Sequence, residues 1–346
     1  MATIKDVARH AGVSIATVSR VISKQNNVTE KTREKVLRSI QTLDFQPNIL
    51  ARQLRNQETG TIIVIVPDIS NSFFYEIIQG IESVAKTCGL QVLIADMQNN
   101  PDVEVHYLGA LLQKQADGVI SLSANVAKTL IERVASDFPL VIACQYMGDS
   151  ALPNVTIDNV SAAREGVNHL IGLGHRRIAH LGCGPQIMLY QDRRNGYCQA
   201  LEENGIPIDP DLIRCGVSSF ASGFEQMREV MALPDPPTAI FAAGDILAIG
   251  AIKALKAGGR SVPGDCAVVG FDDIELSALY DPALTTIRQP KRAMGELSMQ
   301  MLRDIIRGVP LAQNQYILDY EIVIRDSCGA NLERGVTIRS PEQVAD

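Results

Sequence analysis

Few residues in this chain are grouped in a way that supports covalent chemistry. Asp272 and Asp273 form a carboxylate pair of the kind used in general acid–base catalysis. Adjacent residues on an extended chain point to opposite sides, so these two carboxyls do not converge on one atom. Gly182 and Gly184 begin a glycine turn but lack the third glycine of a dinucleotide fingerprint. The sequence has no Walker lysine, no G-x-S-x-G elbow and no His cluster at metal-ligand spacing. Its 7 cysteines are scattered with no C-x-x-C pair, which predicts free thiols in a reducing compartment. No catalytic residue, metal or cofactor is expected.

Phosphate chemistry is better supported. Residues 1–58 hold ten Lys and Arg against five Asp and Glu, a balance of +5. The whole chain carries −7, which leaves −12 on the remainder. A basic head on an acidic body suits nucleic-acid contact at one end, because phosphates repel the body and favour head-first approach. A helix carrying Ile15, Ala16, Thr17, Ser19 and Arg20 into a major groove would bring useful groups with it. Arg20 can make a forked pair to guanine O6 and N7, whereas apolar Ile15 and Ala16 can touch only a thymine methyl. Thr17, Ser19, Thr29 and Thr32 suit phosphate oxygens, which fix register without reading sequence.

The elements that would position these groups are legible. Ile4, Val7, Ala8 and Ala11 share one helical face, and Gly12 follows as a left-handed stop. Ser14 caps a second helix from Ile15 to about Ser23, with Val18 and Val21 inward. Thr29 reads as the cap of a third helix through Val36, Leu37, Ile40 and Leu43. This is a helix-turn-helix head. Pro47 starts a short cationic helical stretch, marginal alone, that ends at Gly60. From Thr61 the texture changes to buried strands alternating with helices. Strands are expected at 62–66, 91–95, 118–122, 140–143, 178–181, 238–242 and 267–271, with helices at 74–87, 107–114, 162–173, 194–203 and 246–257. Such alternation builds parallel sheets, and about 280 residues suggest two doubly wound lobes with a ligand cleft beyond the strand ends.

These motifs together resemble the LacI/GalR family of bacterial repressors. Thr3-Ile4-Lys5-Asp6-Val7-Ala8, Ala16-Thr17-Val18-Ser19-Arg20-Val21 and Pro47-Asn48 carry the resemblance in the head. Gly174-His175-Arg176-Arg177-Ile178, Val269-Gly270-Phe271-Asp272 and Leu284-Thr285-Thr286-Ile287-Arg288-Gln289-Pro290 carry it in the body. Ile65-Val66-Pro67-Asp68-Ile69 with Phe73-Phe74 is most similar to the cytidine-repressor-like branch. The resemblance implies an all-α head and a two-lobed body like a periplasmic binding protein, with two parallel sheets. It places Thr3, Ser14, Ile15, Ala16, Thr17, Ser19, Arg20, Thr29, Thr32 and Asn48 at the DNA. It implies that paired hinge helices enter the minor groove, with Ala51 allowing close approach and Leu54 wedging a base step. It places Phe73, Phe74, Asp158, Arg193, Ser218, Phe220, Asp245, Asp272 and Gln289 around a small effector, nucleoside-like or sugar-like. Ser218 stands where relatives often carry an aromatic, and Phe220 is the candidate substitute.

The domains implied are a head at 1–46, a hinge at 47–58 and a body at 59–346. Lobe 1 spans about 61–158 and 290–322; lobe 2 spans about 159–289 and 323–335. A repressor controlled by its effector, working as a homodimer on a pseudo-palindrome, is the function implied. Gly329 to Asp346 carries no leucine heptad that would join dimers. The effector's sign, inducer or co-repressor, stays open. A solute-binding protein of the same body fold is the rival, opposed by the basic head. No apolar run approaches a membrane span and no signal-peptide core is present, so a cytoplasmic location is expected.

Overall fold

The computed structural model describes residues 2–22, 27–45, 59–123, 128–148, 150–184 and 187–330. Two compact units result, Met1–Thr59 and Gly60–Asp346.

In the first unit, helix α1 (Ile4–Ala11) opens with a reciprocal cap. Asp6 N–H donates to Thr3 Oγ1, while Thr3 N–H donates to Asp6 Oδ2 at 3.0 Å. It closes on Gly12 at φ +62°, the left-handed conformation that costs glycine nothing. Helix α2 (Ile15–Ile22) is capped by Ser14, whose hydroxyl accepts from Thr17 N–H at 3.1 Å. Helix α3 (Glu30–Thr42) packs across both, and Val7, Ala8, Ala11, Val18, Val21, Val36 and Phe45 form the core. Two details differ from expectation. Thr29 occupies the cap position but its hydroxyl makes no cap bond; it pairs with the Thr32 hydroxyl at 2.9 Å. Leu37 falls on the outer face and is 48% exposed. The hinge expected at 47–58, with Asn48, Ala51 and Leu54, lies outside the described residues.

The second unit contains two six-stranded sheets. Strands β1 (Thr61–Val66), β2 (Gln91–Asp96), β3 (Gly118–Ser121), β4 (Leu140–Ala143), β5 (Asn154–Ile157) and β11 (Gln315–Leu318) form one, in the order β11-β5-β4-β3-β1-β2. All its pairings are parallel, and β1 is buried throughout because helices cover both faces. Strands β6 (Ile178–Cys183), β7 (Ile213–Gly216), β8 (Ala239–Ala242), β9 (Ala267–Asp272), β10 (Thr285–Arg288) and β12 (Glu321–Val323) form the other, in the order β12-β10-β9-β8-β6-β7. Only β12 runs antiparallel there. Because Ile322 pairs with Ile287, residues 321–322 belong to lobe 2, not to lobe 1 as the sequence suggested. The chain crosses between lobes at 158, at 289–290 and at 319–320.

Helix α4 (Phe73–Cys88) and helix α12 (Lys291–Ile306) pack backbone to backbone in lobe 1. A Cβ on Gly80 would overlap the Arg292 carbonyl oxygen, and one on Gly295 would overlap that of Ile77. Helix α5 (Pro101–Leu112) starts earlier than expected because Asn100 caps it and Pro101 fixes its first turn. Helix α8 (Met188–Glu203) starts six residues before the expected Arg194. No helix among the described residues is long and apolar enough to cross a membrane.

Candidate functional site

Within the head, the first turn of α2 presents its groups outward. Ser14, Ala16 and Arg20 are exposed, Ile15 is 45% exposed, and Thr17 and Ser19 are half-buried. An exposed isoleucine beside an arginine can offer a groove a methyl contact and a hydrogen-bond donor together. Several hydroxyls expected at phosphates hold the head together. Thr3 Oγ1 donates to Asp6 Oδ2 at 2.7 Å, and Ser14 Oγ lies 2.9 Å from Thr17 Oγ1. Each hydroxyl has a single proton, so the Thr3 hydroxyl must turn from Asp6 to donate to a phosphate, whereas one proton of the Ser14–Thr17 pair stays available.

Between the lobes lies a cavity of about 610 Å³. Its walls are the segments just past the carboxyl ends of β1, β2, β3, β4, β6, β7 and β9, where open parallel sheets place ligands. Lobe 1 contributes Asp68, Asn71, Phe73, Phe74, Asn99, Leu122, Cys144 and Gln145. Lobe 2 contributes Cys183, Tyr190, Arg193, Ser218 and Asp272 among others. Phe73 and Phe74 meet edge to face with centroids 5.2 Å apart, so they present a ring face and a ring edge.

Arg193 is 4% exposed and held from every side. Its Nε donates to Asn159 Oδ1 at 3.0 Å, and its NH1 donates to the Ala243 carbonyl at 2.6 Å. The guanidinium carbon stands 3.7 Å from the Phe271 ring centre. That leaves NH1 also 3.3 Å from Asp272 Oδ1, a buried ion pair on the cavity wall. Asp272 sits at the end of β9 with φ +115°, and Asp273 follows at φ +48°. Two successive left-handed residues turn the chain so that both backbone carbonyls face the Lys291 ammonium. Lys291 also pairs with Glu76 of α4 at 3.1 Å. Gln289 donates to Asp272 Oδ1 at 2.7 Å, and Arg288 pairs with Asp273 at 2.7 Å. The crossover segment 288–291 therefore grips the 272–273 turn by side chain and backbone alike. Burial raises the Asp272 pKa above the ordinary carboxylate value, against the opposing attraction of Arg193.

Phe73, Phe74, Arg193, Ser218 and Asp272 line this cavity, as their expected placement requires. Four other expected residues do not. Asp245 is wholly buried beneath Asp272; it accepts from Ile274 N–H at 3.0 Å, Ser277 Oγ at 2.6 Å and Thr286 Oγ1 at 2.6 Å. Burial, then the charge of Asp272, pushes its pKa up to about 7. It supports the wall and has no free face for a ligand. Gln289 is 3% exposed and reaches the cavity only through Asp272. Asp158 is exposed and caps the helix Asn159–Gly172, accepting from Ser161 N–H at 2.9 Å. Phe220 begins the helix Phe220–Met231 and is 46% exposed outside the cavity, so it does not substitute for an aromatic at Ser218. Tyr190 takes the aromatic position on the lobe 2 wall instead. The early start of α8 puts it one helical turn before Arg193, on the same face. Asp68 and Asn99, just past the ends of β1 and β2, line the cavity although the sequence does not mark them as effector residues.

Residues 3–48 match the family described as "Bacterial regulatory proteins, lacI family", and residues 167–328 match a periplasmic binding protein-like domain. The chain is 38% identical over 330 residues to the HTH-type transcriptional repressor CytR of Escherichia coli, covering 95% of this chain and 97% of that protein. Its structure is similar to that of a lac repressor dimer bound to operator and the anti-inducer ONPF. There the TM-score is 0.85 at 30% identity, covering 94% of this chain and 99% of the other. It is also similar to the transcriptional regulator CelR in complex with cellobiose, with TM-score 0.72 at 31% identity, covering 94% of this chain and 100% of the other.

Proposed function

The chain belongs to the lacI family of bacterial regulatory proteins, and on that basis we propose that its cavity takes an uncharged, hydroxyl-rich effector, a sugar or a nucleoside. The chain is a DNA-binding transcriptional repressor with a ligand-controlled body. The observation that supports the effector class is the charge of the cavity wall. Asp68 and Asp272 face it together with Arg193, the one cation among the described lining residues, already paired to Asp272. A phosphorylated or carboxylated ligand meets net repulsion, whereas hydroxyls can donate to the carboxylates and accept from Arg193. Phe73, Phe74 and Tyr190 supply apolar and ring surface for the rest. The Gln289 and Lys291 contacts couple the Asp272 wall to the segment crossing between lobes.

The DNA contacts are assigned to the exposed groups of α2, to Thr3, Thr29 and Thr32, and to a hinge at 47–58 bearing Asn48, Ala51 and Leu54. The head spans 1–46 and the body 59–346 in this reading. The protein works in the cytoplasm and carries out no catalysis. Two measurements test the proposal. A gel shift against total genomic fragments should retain a small set of sequences; no retained DNA would favour a solute binder. A thermal-shift screen should find stabilisation by a free sugar or nucleoside but not by its phosphorylated form. Stabilisation only by phosphorylated compounds would refute the effector class.

A further inference from the structure

Next to the cavity, one side-chain contact joins the lobes without lining the cavity. Tyr146 follows Cys144 and Gln145 of the lobe 1 wall, and Asp192 precedes Arg193 on α8 of lobe 2. The Tyr146 hydroxyl donates to Asp192 Oδ2 at 2.7 Å. Asp192 is 8% exposed, so its carboxylate has given up most of its water and depends on this donor. Burial and the nearby Asp158 charge both raise its pKa, and the Tyr146 bond opposes them. Asp158 marks the first crossover, and its charge also reaches Tyr146. The bond therefore lies between the cavity wall and the place where the chain passes from lobe to lobe.

We propose that the Tyr146–Asp192 hydrogen bond is an inter-lobe clasp that sets how readily the cleft opens, and thereby how tightly the body retains an effector. Opening the cleft breaks the bond, and the rehydrated carboxylate offsets only part of the loss. Neither residue needs to touch the effector. The clasp is a property of the two lobes, so it holds whatever the effector's chemistry, and it can fail while the effector reading stands.

Native thiols report on it. Cys144 and Cys183 are buried in opposite cavity walls, whereas Cys266 and Cys328 are buried elsewhere in lobe 2. Burial pushes the Cys183 pKa up to about 11 and the Cys144 pKa higher still, so both react slowly until the cleft opens and rehydrates them. Full-length wild type, Tyr146→Phe, Asp192→Ala and the double variant are treated with iodoacetamide without effector, and each thiol is followed by peptide mass spectrometry. The expected result is labelling of Cys144 and Cys183 about tenfold faster in either single variant, which corresponds to about 1.4 kcal/mol. Cys266 and Cys328 should keep their wild-type rates, and the double variant should be no faster than the singles. Unchanged rates at Cys144 and Cys183 would overturn the clasp. So would a parallel rise at all four buried thiols, because that reports general destabilisation.

Discussion

Asp272→Asn separates the binding role of one side chain from its effect on stability. The Asp272 pKa is raised by burial even though Arg193, Gln289 and Lys291 all favour the charged form. The folded protein therefore prefers the neutral group more strongly than the unfolded chain does. Between the ordinary value near 3.8 and the raised folded value, the native state holds the extra proton. Stability falls as pH rises through that window and stays lower above it. Asparagine copies the shape of the neutral acid and tolerates positive φ better than most residues, which matters at φ +115°. It also removes the charge that helps push Asp245 to about 7. The variant should thus melt no lower than wild type at pH 7. Each pKa unit relieved is about 1.36 kcal/mol, or roughly 3–5 °C for a domain of 150–250 residues. The difference should shrink as pH falls and wild-type Asp272 takes up its proton. Effector binding should move the other way. Losing a charged acceptor costs about 1.5–3 kcal/mol, a roughly 10- to 150-fold rise in Kd. Scanning fluorimetry from pH 4 to 8 and calorimetric titration with the effector found by screening measure both. A melting point several degrees lower at pH 7 would show that the Arg193 attraction outweighs burial and that the reasoning has the wrong sign. Unchanged effector affinity would place the effector away from Asp272.

Four further outcomes are expected. His180 is buried between Tyr197 and Phe241, its pKa is lowered to about 3, and among the described residues its Nδ1 has no hydrogen-bond partner. The unfolded chain takes up that proton below about 6.5 and the folded one does not, so stability drops as pH falls from 6.5 toward 3; urea titrations should show His180→Phe losing much less than wild type over that range. Gly295→Ala must push α12 away from the Ile77 carbonyl, costing about 1–3 kcal/mol, and a melting temperature equal to wild type would contradict the close packing. Leu93 and Ile94 on the edge strand β2 are 54% and 41% exposed, a surface suited to covering by the second subunit. Sedimentation should find Leu93→Glu monomeric where wild type is dimeric. Leu54→Ala should weaken operator binding and reduce DNA bending while effector binding is kept, since an apolar wedge offsets its unstacking cost of a few kcal/mol by wrapping more DNA; unchanged bending in a circular-permutation assay would dismiss the wedge.

Local pattern alone determined the head and most of the body. Thr3, Gly12 and Ser14 mark helix ends through bonds to neighbours within three residues or through a single φ, and Val7, Val18 and Val36 declare the faces that meet. The apolar runs of β1, β4 and β9 announce strands covered on both sides for the same short-range reason. Strands β5, β7, β10, β11 and β12 are absent from the sequence reading: β7, β11 and β12 are sheet edges whose partly exposed residues break the apolar pattern, and β5 and β10 are four-residue interior strands that bury polar Asn154, Thr156, Thr285 and Thr286. Which polar residues face the cavity was decided only by the tertiary structure. Asp245 and Asp272 both lie at the mouth of lobe 2, yet one is sealed under the wall and the other forms it. That outcome depends on the left-handed turn at 272–273, held by a lysine and a glutamine from the returning crossover. Tyr146 and Asp192 are 46 residues apart and meet only because two separate sheets stop at the same cleft. Contacts of that kind depend on where strand ends fall in space, and no periodicity within either segment records it.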